Sequence, residues 1–99
     1  MKTKYFPNSE IEILRERLNF LKLRIKFRER LYFDIYYNSS NDRIDFALIM
    51  EGKRTFGYDN LGGWHKHPVE NPEMHKYCEK PDIEEVFREI RDIISDLVG

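Results

Sequence analysis

The three histidines of this chain are the residues whose type and spacing best suit chemistry, and His65, His67 and His75 lie in one short stretch. Near neutral pH, one imidazole can accept a proton while another, already charged, donates one. Attack of a ribose 2′-hydroxyl on its own phosphate needs such a pair, together with a cation for the developing phosphorane charge. The stretch therefore predicts acid–base catalysis by His65 and His67, with Asp59 orienting one imidazole.

The same side chains also suit a metal ion. Two histidines separated by one residue can chelate an ion on an extended chain, and His75, Asp59 or Cys78 would complete a tetrahedral zinc site. The chain has one cysteine and therefore no Cys-x-x-Cys pair, so a purely structural zinc site is not expected. The catalytic interpretation needs no cofactor, whereas the alternative predicts zinc bound by His65, His67 and His75.

The local sequence predicts how the histidine side chains point. Pro68 biases His67 toward an extended backbone, and side chains two residues apart on an extended chain share a side. We therefore expect His65 and His67 on one side and Trp64 and Lys66 on the other. The plainer alternative is a packed surface loop in which Trp64 fills part of the core and the histidines are ordinary solvated groups.

A row of cations upstream suits an anionic partner. From Leu21 to Arg28, apolar and basic residues alternate, which in a strand separates an apolar face from four cations. Nucleic-acid phosphates could bridge such a row, although an edge strand protected against aggregation has the same pattern. The predicted nucleic-acid-binding residues are Lys22, Arg24, Lys26, Arg28, Arg54 and Lys66.

The elements that must position these residues follow from periodicity. Ser9 and Glu12 form a capping box, and Ile11, Leu14 and Leu18 recur at helical spacing, so a first helix is predicted over residues 9–19. Four alternating runs with short turns then predict an antiparallel meander. Residues 61–80 are expected to be mostly loop.

The end of the chain predicts a second helix that packs across the apolar face of the sheet. Asp82 and Glu85 form its capping box, and an apolar stripe follows at helical spacing. The expected fold class is α+β, a single two-layer domain over residues 1–99. It would contain an antiparallel β-meander of about four strands, a C-terminal helix and a short N-terminal helix.

Composition favours a folded cytoplasmic protein. Hydrophobic residues make up 40% of the chain and charged residues 35%, with no apolar run that suggests a membrane span or a signal peptide. A single cysteine fits a reducing compartment. Net charge is +4 over residues 1–36 and −5 over residues 69–99. This polarity suits either an anionic ligand at one end or head-to-tail contact with another chain, although a solvated face on each element has the same pattern. A homodimer is also a candidate assembly.

Two short segments, Phe56-Gly57-Tyr58-Asp59-Asn60 and Trp64-His65-Lys66-His67-Pro68, resemble the TumE family of small prokaryotic toxins from toxin–antitoxin systems. The resemblance implies an antitoxin partner. It also implies that the family's signature residues are, in this chain, Tyr58, Asp59, Asn60, His65 and His67.

One position departs from the family pattern. The family has arginine before the tyrosine, where this chain has Gly57. By strict alternation, Arg54 would lie on the opposite face of the strand from Gly57. Either Arg54 or Lys66 would have to replace the missing arginine, or the chain would be inactive.

The sequence thus predicts a toxin-like protein that acts on RNA as a metal-independent ribonuclease. The predicted catalytic residues are His65, His67, Asp59, Asn60 and Tyr58. The alternative is a non-catalytic α+β module that binds a metal or a partner, or that forms a homodimer.

Overall fold

Within the described part of the chain, seven antiparallel strands form one sheet, and their order across the sheet follows their order in the sequence. The computed structural model describes residues 9–98. The strands are β1 (Glu10–Arg17), β2 (Phe20–Arg28), β3 (Leu31–Asn38), β4 (Arg43–Met50), β5 (Lys53–Asp59), β6 (His65–His67) and β7 (Lys76–Tyr77). One helix, α1 (Ile83–Val98), follows the sheet. Among the described residues, no helix is both long and apolar enough to cross a membrane.

The predicted N-terminal helix over residues 9–19 is wrong, because residues 10–17 form the edge strand β1. Ile13 pairs with Leu23, whereas Arg15 pairs with Lys22, so Leu14 is an extra residue that forms a bulge. Ile11 and Ile13 pair with Ile25 and Leu23, and the bulge makes Glu16 the next residue on that face, opposite Leu21. Leu14 is the bulge residue, and Leu18 lies in the turn after β1 and is 96% exposed. The spacing of Ile11, Leu14 and Leu18 is therefore not a helix face, and Ser9 and Glu12 do not cap a helix.

The expectation of about four strands is also wrong, because the segment predicted as loop contributes β6 and β7. Gly62 and Gly63 have φ values of 69° and 111° in the turn that reverses the chain after β5. Glycine adopts this left-handed region at little cost. β6 has three residues and β7 has two. Strands this short are specified by pairing with neighbours rather than by their own periodicity.

The C-terminal helix confirms the prediction of an apolar stripe that packs on the sheet. Val86 and Ile90 of α1 have no exposed surface and belong to the same buried cluster as Phe33, Leu48 and Phe56. α1 covers the apolar face of the sheet. The opposite face, called the polar face below, presents residues such as Asp45 and Gly57.

Two strand irregularities change which side chains reach the polar face. After Lys26 the β2 register shifts, and Arg28 pairs with Leu31, a residue of the apolar face. The predicted row of four cations is therefore interrupted at Arg28. A second shift places Arg54 opposite Ile49. Arg54 consequently lies on the same face as Gly57, and the prediction that they occupy opposite faces is wrong.

Candidate functional site

Strand pairing brings the predicted catalytic groups together on the polar face. Asp59 of β5 lies opposite His65 of β6, and Gly57 lies opposite His67. The chain after β6 returns to place the His75 ring 4.6 Å from the His67 ring and 5.8 Å from the His65 ring, measured between centroids. Asp59, His65, His67 and His75 are called the histidine site below.

His67 is held at both ring nitrogens. Its Nε2 lies 2.6 Å from Asp59 Oδ2, and its Nδ1 lies 3.2 Å from the Pro72 carbonyl oxygen. A carbonyl oxygen and a carboxylate both accept hydrogen bonds, so the two ring nitrogens of His67 must both donate. The geometry thus favours a charged imidazolium paired with an ionised Asp59. His67 is only 2% exposed, which makes this a buried ion pair.

The carboxyl group of Asp59 is kept ionised by its hydrogen bonds. Burial acts to raise the pKa of Asp59, but the hydrogen bonds from His67 and from the Leu61 N–H, together with the positive charge of Arg43, outweigh it. The net result is a pKa below the usual value for an aspartic acid. The Leu61 N–H donates to Oδ1 at 3.1 Å and also fixes the orientation of the carboxylate.

His65 and His75 differ from His67 in their hydrogen-bond partners and in their exposure. The Nδ1 atom of His65 is buried, has no hydrogen-bond partner among residues 9–98, and lies 4.0 Å from Asp59 Oδ1. The His65 ring packs against Tyr77, with 4.4 Å between centroids. His75 is exposed. The site thus combines a fixed imidazolium, a buried imidazole with an unpartnered nitrogen, and an imidazole open to solvent.

Tyr58 and Lys66 lie away from the histidines, on the apolar face. Both contact Glu89 of α1: the Tyr58 hydroxyl donates to Oε1, and Lys66 Nζ lies 2.7 Å from Oε2. Burial, followed by the hydrogen bond to Glu89, raises the pKa of Tyr58 far above its usual value. These two residues therefore connect the sheet to the helix.

Asn60 connects two backbone segments. Its side-chain oxygen accepts from the Ile44 N–H at 2.9 Å, and its side-chain nitrogen donates to the Asp42 carbonyl at 2.7 Å. These bonds fix the end of β5 against the start of β4. Of the five predicted catalytic residues, Asp59, His65 and His67 converge, whereas Tyr58 and Asn60 have partners elsewhere.

Three of the six predicted nucleic-acid-binding cations, Arg24, Arg54 and Lys66, already have acidic partners. Arg24 donates to Asp34 at 2.8 and 3.1 Å, and its guanidinium lies 3.7 Å from the centroid of the Tyr32 ring. Arg54 pairs with Asp45 at 3.1 Å. Lys22 and Lys26 are on the polar face and form no ion pair within the described part of the chain.

Arg43 is a candidate that the sequence interpretation missed. Its Nη2 lies 3.5 Å from Asp45 Oδ2, while its Nε is buried without a hydrogen-bond partner among the described residues. Asp45 lies opposite Asp59 across the β4–β5 pairing. A groove of about 350 Å³ beside Asp45 is lined by Arg43, Arg54 and Lys22. Alternation in β4 places Arg43 and Asp45 on one face, and this signal was available in the sequence.

Gly57 occupies a position with no room for a side chain. A Cβ atom there would lie 2.2 Å from the Phe46 carbonyl oxygen, so any larger residue requires a backbone shift. An arginine at this position is incompatible with the local geometry. The register shift between β4 and β5 instead brings Arg54 to the same face as Gly57, and Arg54 is one of the two replacements that the resemblance required.

The geometry of the site can be compared with known proteins. Neither a curated protein nor a solved structure matches this chain. One family model, described as Toxin TumE, matches residues 3–97. The match includes β5, β6 and the whole histidine site. Because it spans nearly the entire sequence, the chain belongs to the Toxin TumE family.

Proposed function

We propose that this protein is the toxin of a toxin–antitoxin pair and that it cleaves RNA at the histidine site without a metal ion. The observation that carries the proposal is the convergence of three imidazoles around one buried carboxylate, Asp59, on the sheet face that α1 leaves uncovered. Imidazoles exchange protons near neutral pH, and Asp59 supplies a fixed counter-charge. Family membership supports the toxin role and the expected antitoxin partner.

The proposed roles differ from those expected from sequence. Since His67 donates from both nitrogens, it acts as a positioning residue, and Asp59 fixes it. His65 and His75 are then the groups that transfer protons. One of them accepts the proton of the ribose 2′-hydroxyl while that oxygen attacks phosphorus. The other donates a proton to the 5′-oxygen as the P–O5′ bond breaks. The products are a 2′,3′-cyclic phosphate and a 5′-hydroxyl.

Charge on the polar face supports an anionic substrate. Arg43, Arg54 and Lys22 line one groove, so a phosphate in that groove would meet three cations. Arginine suits phosphate because its planar donors bind two oxygens together. Lys26 would contact a more distant phosphate. The groove also contains Asp34 and Asp45, which hold Arg24 and Arg54 in position.

The test is cleavage of a single-stranded RNA by purified protein in the presence of a chelator, with DNA of the same sequence beside it. We expect RNA to be cut to cyclic-phosphate ends and DNA to remain intact because it lacks the 2′-hydroxyl. Loss of one proton-transfer group costs about 10²–10⁴ in rate. His65→Ala and His75→Ala should therefore each lose at least about 100-fold.

Lys76→Ala is the matched control, since Lys76 neighbours the site in sequence but points to the other face of β7. It should cleave as the wild type does. Equal cutting of RNA and DNA, or unchanged cutting by His75→Ala, would contradict the mechanism. Absence of any cleavage by folded wild-type protein would contradict the function.

A second candidate, the non-catalytic binding module, is favoured by one specific observation. Potential ligand atoms of Asp59, His67 and His75 all lie within 4.8 Å of one another. If the folded protein binds a metal ion and cleaves no RNA, this candidate replaces the first. A homodimer remains a prediction, which sedimentation at micromolar concentration would test.

A further inference from the structure

We propose that the histidine site binds one Zn²⁺ ion through Asp59, His67 and His75, and that a bound ion stops proton transfer by His75. The metal site stands on its own geometry. Only its inhibitory effect rests on the proposed function. Imidazole and carboxylate groups are common zinc ligands, and mixed histidine–carboxylate sets are typical of zinc sites.

Distances between the ligand atoms are close to those of a metal site. The three atoms lie within 4.8 Å of one another. With metal–ligand bonds of about 2.1 Å, tetrahedral ligands are roughly 3.4 Å apart. The 2.6 Å contact between His67 Nε2 and Asp59 Oδ2 must therefore open by less than an ångström, and His75 must move closer. His75 is exposed and lies outside the strands, where such a movement disturbs little packing.

His65 is a candidate fourth ligand that lies beside the three residues whose ligand atoms are within 4.8 Å of one another. His65 Nδ1 is buried, has no hydrogen-bond partner among the described residues, and lies 4.0 Å from Asp59 Oδ1. A buried polar atom without a partner costs free energy, so it needs an explanation. A metal ion between Asp59 and His67 would offer this nitrogen a partner and complete four-coordination.

Two ligands are already oriented by a second group. Metal-bound histidines usually donate their other N–H to a carbonyl or carboxylate, which fixes the ring and the tautomer. His67 Nδ1 donates to the Pro72 carbonyl oxygen, which leaves Nε2 for the metal. The Leu61 N–H similarly holds Asp59 Oδ1. Neither contact uses His67 Nε2 or Asp59 Oδ2, so we expect both to persist when an ion replaces the proton between those two atoms.

The exchange balances in charge and atoms. Zn²⁺ displaces the proton from His67 Nε2, and that proton passes to solvent. The site changes from imidazolium and carboxylate to neutral imidazole and carboxylate around a dication. The lone pair of His75 is then used by the metal, so this residue can no longer accept a proton.

Direct binding tests the site independently of activity. Co²⁺ reports a tetrahedral site through its visible absorption, and calorimetry with Zn²⁺ gives stoichiometry and affinity. We expect one ion per chain, with affinity at least tenfold weaker in His75→Ala. Thermal unfolding with and without Zn²⁺ supplies a further readout, because an ion that binds only the folded state raises Tm. That increase should disappear in His75→Ala, whose substitution at an exposed position spares the core.

The control variant is Cys78→Ser, since a free thiol also binds zinc. It should retain wild-type affinity. Loss of binding in Cys78→Ser, undiminished binding in His75→Ala, or no binding by wild type would each overturn the site. If Zn²⁺ binds but RNA cleavage continues at saturation, the inhibitory effect is overturned and the site stands. If the metal-free protein does not cleave RNA, the proposed function fails while the cobalt spectrum still decides the metal site.

Discussion

Asp59 and His67 form the contact on which the geometry of the histidine site depends. Their side chains are 10% and 3% exposed, respectively, so removal of either leaves a charge buried without its partner. The loss of one member of such a pair costs about 3–5 kcal/mol. We therefore expect Asp59→Ala to lower the free energy of unfolding by roughly that amount, as measured by urea denaturation near neutral pH.

The exposed pair formed by Arg30 and Glu51 is the matched control. Its side chains are 73% and 64% exposed, and pairs of this kind contribute less than about 1 kcal/mol. Glu51→Ala should therefore change stability little. Asp59→Ala combined with His67→Leu should recover part of the lost stability, since no charge is then left unpaired. Similar small effects from Asp59→Ala and Glu51→Ala would show that the buried pair is not ionic.

Tyr58 gives a second residue-level prediction. Its hydroxyl donates to Glu89 on the face opposite the histidines. Tyr58→Phe removes this hydroxyl, so Glu89 Oε1 loses a hydrogen-bond donor. We therefore expect the free energy of unfolding to fall by about 1–3 kcal/mol. RNA cleavage per folded molecule should be unchanged. A cleavage defect as large as that of His75→Ala, without a loss of stability, would return Tyr58 to the catalytic set.

At the scale of elements, α1 is held to the sheet by a few fully buried side chains. Ile90 has no exposed surface, whereas Ile83 of the same helix is 43% exposed. Truncation of a buried isoleucine costs about 2–5 kcal/mol, because transfer free energy is lost and a cavity remains. Ile90→Ala should therefore be destabilising by that amount in denaturant unfolding, and Ile83→Ala by less than about 1 kcal/mol. Equal effects would mean that the helix is not anchored at Ile90.

The elements also show what the sequence could predict. Uninterrupted alternation identified the apolar faces of the central strands, and a capping box at Asp82 identified the start of α1. Strand irregularities made the same reasoning fail in two places. The bulge at Leu14 put an apolar residue at helical spacing from Ile11, and the register shift in β5 moved Arg54 to the polar face. β6 and β7 were missed because pairing across the sheet specifies them.

Part of the histidine site was also predictable from strand alternation, which determines which side chains share a face. Alternation places Asp59, His65 and His67 on one side of their strands, and the structure has them there. The same alternation separates Tyr58 from Asp59, and only the family resemblance grouped them. His75 joins the site because the chain after Pro68 turns back over β6, with the Pro72 carbonyl bound to His67. A backbone path of that kind leaves no periodic signal in the sequence.

On the scale of the whole molecule, the charge gradient along the chain becomes a gradient between two layers. α1 contains five acidic and two basic residues and covers the apolar face. On the polar face, β2 contributes Lys22, Arg24 and Lys26. Under the proposed function, we therefore expect an RNA strand to bind the polar face and to avoid the acidic helix. Adjacent strands are about 4.8 Å apart, so β2 lies roughly 19 Å from β6, within reach of one bound oligonucleotide.

This arrangement predicts a salt dependence that is specific to one face. Each lysine that neutralises a phosphate of single-stranded RNA contributes about 0.7 to the slope of log affinity against log salt concentration. We expect the Lys22→Ala/Lys26→Ala variant to bind more weakly and to reduce that slope by about 1.4. The measurement is fluorescence anisotropy over a range of salt concentrations, with a 2′-O-methyl RNA that lacks the attacking hydroxyl and so cannot be cleaved.

The control for that measurement is Arg88→Ala, which removes an exposed cation from α1. We expect its salt-dependence slope to equal that of the wild type, because Arg88 lies on the helix layer and not on the polar face. The two lysines lie across the sheet from the histidine site, so their loss should weaken RNA binding without changing the cleavage rate at saturating substrate. If Arg88→Ala reduces the slope as much as the double variant does, RNA does not select the polar face. The histidines would then require another substrate.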